Sequence, residues 1–91
     1  MIYLNVRHTV ADYEKWRVFF NEDDARRRTA GATGTTQIYR DADDANTVTT
    51  IIEWDNVENA RKFMSDPALR EVMQKAGVVG MPAVRAILLP A

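Results

Sequence analysis

From Ile2 to Val10 the apolar residues Ile2, Leu4 and Val6 alternate with Tyr3, Asn5, Arg7 and Thr9, the period of a strand with two unlike faces. Tyr13, Trp16, Phe19, Phe20 and the stem of Arg27 then recur at helical spacing, while Glu14, Lys15, Glu22 and Asp23 take the wet side. Thr9 or Asp12 is placed to cap this helix. Gly31 and Gly34 stop it, and the basic run Arg26 to Arg28 sits in its last turn, where cations complement the helix dipole. A second strand is predicted over Thr35 to Arg40, a turn over Asp41 to Asn46, and a third strand over Thr47 to Trp54, so this pair forms a hairpin. Asp55 to Glu58 has the form of a capping box, opening a helix whose inward stripe is Val57, Ala60, Phe63 and Met64. Asp66 is a fresh cap with Pro67 at the next first-turn position, and Leu69, Val72, Met73 and Ala76 face inward until Gly77. After a loop over Val78 to Pro82, the last strand is expected from Ala83 to about Leu89.

The order is β-α-β, β-α-β, which places both helical segments on one side of a single sheet. By parity, Ile2, Leu4, Val6, Ile38, Val48, Ile52, Val84, Ala86 and Leu88 lie under the helices. The opposite face then carries Tyr3, Asn5, Arg7, Thr35, Gln37, Tyr39, Thr49, Ile51, Glu53, Arg85, Ile87 and Leu89. This second face is half apolar. Burial of Tyr3, Tyr39, Ile51, Ile87 and Leu89 would stabilise by roughly 1.5 to 3 kcal/mol each, so a second copy of the sheet is the natural cover. With strands one and three taken as central and parallel, Arg7, Glu53 and Arg85 are expected at one end of this face. Two readings of that cluster stand side by side: a structural ion-pair network, or a cavity in which Arg7 and Arg85 hold an anionic oxygen while Gln37 and Tyr39 orient it.

Composition narrows the function. At 91 residues the chain has a thin core, and 46% hydrophobic with 27% charged residues is ordinary for a folded protein. A net charge of -1 removes the electrostatic argument for nucleic acid or an anionic membrane. Without cysteine there is no disulfide, thiolate metal site or thiol nucleophile, and the lone His8 cannot build a multi-histidine metal site. The opening residues alternate and carry a charge early, unlike a signal peptide, and no run is long enough to span a bilayer, so a cytoplasmic protein is expected. No Gly-x-Ser-x-Gly elbow or phosphate-cradling glycine loop is present, and Asp43 and Asp44 lack the spacing of a calcium loop and read as turn formers.

His8 is the one side chain titrating near neutrality, placed by parity on the helix side near Trp16 or Trp54. It is either a hydrogen-bonded structural histidine at a strand end or a general base for an activated carbon acid. Trp16, Phe19 and Phe20 read as core or as a ligand platform, and Trp54 can line a pocket. Arg26 to Arg28, with Asp23 and Asp24 in pairing range, reads as a solvated helix end.

The βαββαβ order, the run Val10-Ala11-Asp12-Tyr13-Glu14-Lys15-Trp16 and the run Ile51-Ile52-Glu53-Trp54-Asp55-Asn56-Val57-Glu58 together resemble the dimeric α/β-barrel superfamily, and within it the small antibiotic biosynthesis monooxygenase-like proteins. The likeness covers nearly the whole chain. It implies one ferredoxin-like α+β domain over residues 1–91, a four-stranded antiparallel sheet with helices on one face, and a sheet-to-sheet homodimer with a small-molecule pocket. Relatives of this kind include cofactor-free oxygenases acting on aromatic polyketides, haem-degrading oxygenases and muconolactone-isomerase-like enzymes. The haem-degrading branch carries an Asn on strand one, a Trp where strand three ends and a ligand His on the next helix. Asn5 and Trp54 match the first two, but Val72 or Met73 stands in place of the histidine, which argues against haem unless Met73 or His8 takes its role.

The expected function is therefore that of a homodimer with a small-molecule pocket, without metal, cofactor or nucleic-acid partner. Its chemistry would be cofactor-free oxygenation of an aromatic or enolisable substrate. His8 would be the base, and Asn5, Arg7, Tyr39 or Arg85 would stabilise the oxyanion, with Trp16, Gln37, Glu53 and Trp54 completing the pocket. The alternatives are a non-catalytic ligand-binding or stress-associated module, and a purely structural dimer.

Overall fold

The computed structural model describes the backbone of residues 1–91 and every side chain except those of Met81 and Ala83. Of the two residues able to cap the first helix, Asp12 does so: its carboxylate accepts from Lys15 N at 3.2 Å, which turns the first strand, β1 (Ile2–Val10), into helix α1 (Tyr13–Glu22). At Asp23 the helical path breaks, and α2 (Asp24–Ala30) follows as a separate short helix. Gly31 ends it with φ of 127°, a conformation open to glycine but costly for any residue with a Cβ.

Strand β2 (Ala32–Arg40) begins earlier than the composition indicates, because Gly34, read as a helix stop, instead sits inside it at φ of 97° where the register with the next strand shifts. Asp44 accepts from Thr47 Oγ1 at 2.8 Å and from Asn46 N at 3.0 Å, closing the turn into β3 (Thr47–Trp54). The first of these bonds, helped by the second, lowers the Asp44 pKa, and through both bonds Asp44 acts as a turn former. Helix α3 (Val57–Ser65) is capped by Asn56 through Asn59 N at 2.8 Å, in place of the Asp55–Glu58 box, whose Glu58 turns outward to Lys62. Asp66 caps α4 (Pro67–Lys75) through Ala68 N at 2.9 Å. The final strand, β4, is Val78–Leu88.

The sheet order is β2-β3-β1-β4, and every neighbouring pair is antiparallel. Strands one and three are central, as expected, but they run opposite to each other, which a split pair of β-α-β units joined by a hairpin requires. In the resulting register Arg7 faces Thr49 and Glu53 faces Tyr3, so these two charges stand at opposite ends of the sheet. Strand β4 also reverses its expected parity. It starts five residues early, and its pairing jumps from Arg7↔Val84 to Thr9↔Val79. Past that irregularity Arg85 pairs with Val6 and Ile87 with Leu4 on the helix side, while Val84, Ala86 and Leu88 fall on the open face.

The buried residues under the helices form two separate clusters. One joins Ile2, Leu4, Ala32, Ile52, Trp54, Ala60 and Phe63. The other joins Val10, Trp16, Val48 and Ala76. Helix α4 contributes no buried residue to either. No helix among the described residues is long and apolar enough to cross a membrane.

A side chain at Gly31 would approach Asp55 Oδ1 to 2.7 Å and Asn59 Nδ2 to 2.9 Å, in addition to the strain of its positive φ. Gly31→Ala is therefore expected to lose about 1 to 3 kcal/mol in chemical denaturation. A midpoint equal to that of the wild type would show that the close approach is absent.

Candidate functional site

Along the helix side of β1, Ile2 and Leu4 belong to the first cluster and Val10 to the second; Val6 and His8 lie between them. Opposite Val6 on β3 is Thr50. A cleft of about 720 Å3 opens over this gap. Its floor is Leu4, Val6, His8, Thr50 and Ile52, one wall is Trp16, Phe19 and Phe20, and the other is Phe63, Met64, Leu69 and Met73. The incomplete burial of α4 has the same origin, since its inward side chains face the cleft.

His8 is 4% exposed, yet neither ring nitrogen has a hydrogen-bond partner among the described residues. Its ring meets Trp16 edge-on, with centroids 5.5 Å apart. Of its two expected roles, the hydrogen-bonded structural histidine is thereby corrected. Burial alone pushes the imidazole pKa below its ordinary value, so the ring is neutral at pH 7 and both nitrogens are oriented by packing only. Thr50 Oγ1 reaches Val6 O at 3.5 Å, a weak contact that leaves the hydroxyl available to the cleft.

The aromatic wall continues from Trp16 to Phe20, with centroids 5.0 Å apart, and ends on the Arg27 guanidinium 3.8 Å from the Phe20 ring centroid. Arg27 is 4% exposed and not the solvated helix-end residue it was expected to be. It donates to Phe20 O at 2.9 Å. Desolvation lowers its pKa by more than the charges of Asp23 and Asp24 raise it, although an arginine stays protonated throughout.

The remaining candidates divide by face. Arg85 reaches the cleft and donates to Met64 O at 3.0 Å, so the structure brings His8, Trp16 and Arg85 to one site. Asn5, Arg7, Gln37, Tyr39 and Glu53 lie on the open face of the sheet, behind that site. Arg7 is paired with Asp41, and Glu53 accepts from Thr33 Oγ1 at 2.8 Å, so the expected Arg7, Glu53 and Arg85 cluster does not form. Trp54 is fully buried against Phe63, centroids 5.0 Å apart, and does not line the cleft. Asn5 and Trp54, the two residues matching the haem-degrading pattern, thus point to opposite sides of the sheet. Among the described residues no group of three or more metal-ligating side chains converges. Thr50 and Arg27 were missed as site residues. The sequence signal for Thr50 is its even parity with Val48 and Ile52, and for Arg27 its place two turns after Phe20 on the inward stripe.

Because the folded-state pKa of His8 lies below the unfolded value near 6.5, the unfolded chain takes up this proton first as pH falls. Its contribution to stability is therefore complete above that value and is lost on acidification, by up to about 1.4 kcal/mol per pH unit, until the folded imidazole titrates too. Melting temperatures followed from neutrality to about pH 5 will fall more steeply for the wild type than for His8→Gln. Parallel slopes would contradict a neutral buried imidazole.

No protein-family model and no curated protein matches the sequence. Solved structures do match the fold. SnoaB, a cofactor-independent oxygenase from Streptomyces nogalater, aligns over 99% of this chain and 92% of its own with a TM-score of 0.74 and 15% identity. A candidate antibiotic biosynthesis monooxygenase from Bordetella bronchiseptica aligns over 99% and 96% with a TM-score of 0.78 and 12% identity. Another from Deinococcus radiodurans aligns over 100% and 93% with a TM-score of 0.69 and 10% identity. The chain therefore has the ferredoxin-like α+β fold of the antibiotic biosynthesis monooxygenase-like proteins.

Proposed function

We propose that the cleft binds a small aromatic or enolisable molecule and that the chain is a cofactor-free monooxygenase acting on it. The observation that carries this reading is His8: a neutral imidazole lining an open, largely apolar cleft, whose two nitrogens are buried just beneath its floor and unpartnered among the described residues, within reach of a ligand after a small shift of the ring. Leaving a buried polar group unpaired costs about 1 to 3 kcal/mol, and a ligand hydrogen placed on that nitrogen removes the cost. The shared fold with a cofactor-independent oxygenase supports the reading.

In the proposed reaction His8 takes a proton from an activated CH2 of the substrate, whose rings stack between Trp16, Phe20 and Phe63. The carbanion gives one electron to molecular oxygen, and the radical pair closes a C–O bond to form a hydroperoxide. The proton held by His8 completes that hydroperoxide, and the freed imidazole then takes the second C–H proton as the O–O bond breaks and passes it to the departing hydroxide, leaving a carbonyl and water. The sum is CH2 plus O2 giving C=O plus water, so both oxygen atoms and all electrons are supplied by substrate and dioxygen. Arg85 and the Thr50 hydroxyl are the groups available to the developing oxyanion.

A second copy of the chain covers the open face in this reading, and the protein works in the cytoplasm. Tyr39, Val84 and Leu88 are exposed there, with Tyr39 at 54%. Light scattering should give twice the chain mass for the wild type and one chain mass for Tyr39→Glu combined with Val84→Glu. A wild type that stays monomeric removes the dimer.

Oxygen uptake tests the chemistry, with anthrone as an enolisable aromatic ketone. Wild type is expected to consume oxygen in equal amount to the carbonyl product, and His8→Gln to lower kcat by about 100- to 10,000-fold. Unchanged kcat in His8→Gln would dismiss the base.

A further inference from the structure

We infer that Arg27 is an anion-binding group of the cleft, selecting ligands that carry a carboxylate on their aromatic frame. The inference rests on the cleft being the ligand site and adds the class of ligand.

Three arginines follow one another on α2, and their partners are unequally shared. Arg26 takes both oxygens of Asp23, at 2.8 and 3.1 Å, and also faces Asp66 at 3.6 Å. Arg28 takes Asp24 at 2.8 Å. Arg27, the buried one, is left with Asp23 at 3.9 Å and Asp24 at 3.7 Å, beyond hydrogen-bond reach of both. Of its five N–H donors only one, on Nη2, has a hydrogen-bond partner among the described residues, the carbonyl of Phe20. A guanidinium in this position has its charge balanced loosely by Asp23 and Asp24 but retains a fork of N–H donors without a hydrogen-bond acceptor among the described residues.

The surroundings favour an anion on the cleft side. Arg27, Arg70 and Arg85 line the cleft against Asp23 and Asp66, and both of these acids are engaged by Arg26. On its other side Arg27 borders a smaller recess of about 420 Å3, lined also by Arg17 and Asp24, which lacks the aromatic wall that runs from Arg27 to His8 in the cleft. The Trp16 and Phe20 rings connect His8 to the guanidinium along one wall, so a flat ligand lying on them presents one edge to His8 and another to Arg27. A carboxylate at that second edge accepts two parallel N–H bonds in a low-dielectric site, where such a pair is strongest.

Isothermal titration of the full chain with naphthoate and with naphthamide tests this, since the two differ in charge at nearly constant shape. Naphthoate is expected to bind at least about tenfold tighter than naphthamide. Arg27→Met, which keeps an apolar stem on Phe20, should abolish that preference while still binding naphthamide, whereas Arg28→Met and Arg70→Gln should retain it. Equal affinity of the two probes for wild type overturns the inference alone. Failure of both to bind overturns it together with the cleft as ligand site. A preference surviving in Arg27→Met also overturns it. If Arg27→Met does not melt cooperatively, Arg70→Gln decides, because loss of the preference there assigns it to the rim and not to Arg27.

Discussion

The helices do not close over the middle of the sheet, and the rest of the molecule follows from that gap. Close packing favours one continuous core, yet the buried residues here gather at the two ends of the central strands, around Trp54 and Phe63 at one end and around Trp16 and Val48 at the other. Between them the inward positions are Val6, His8 and Thr50, two of the three polar. His8 and Thr50 are nevertheless buried, the His8 nitrogens without a hydrogen-bond partner among the described residues, while helix α4 beside the cleft stays half-exposed. A chain that packed this region with apolar side chains would be a better-filled domain without a site.

Charge is organised around the same gap. Burial keeps His8 neutral and makes it a proton acceptor, while burial of Arg27 leaves a cation that cannot neutralise itself. The two are joined by a row of aromatic rings, so a neutral imidazole and a cation border one apolar space. That division suits a carbon acid whose negative charge develops away from water. The opposite side of the sheet differs: Arg7 pairs with Asp41 and Glu53 with Thr33, Asn5 Oδ1 is buried without a hydrogen-bond partner among the described residues, and Tyr39, Val84 and Leu88 are exposed.

Much of this was legible in the chain. Strand alternation in β1 and β3, the Asp12 and Asp66 caps and the inward stripe of α3 appear where the pattern places them, because each depends on neighbours in sequence. What depended on non-local register was lost. The reversed facing of Arg85 and Ile87 comes from an irregular stretch around Gly80 and Pro82, which no alternation rule counts across. Arg7 and Glu53 were brought together by a parallel pairing that the antiparallel sheet excludes. At the site, His8 and Trp16 were visible as a lone imidazole and an inward aromatic. Arg27 was recognised only as an apolar stem, since a charged head ordinarily reaches water, and here the ring of Phe20 holds it inside.

The most direct test of the account is an NMR titration of the His8 ring with and without an aromatic ligand. A neutral, unpartnered imidazole at the cleft floor should titrate below the ordinary histidine value and shift when naphthamide is added. A ring that titrates at or above that value, or that ignores a ligand bound elsewhere on the chain, would contradict it.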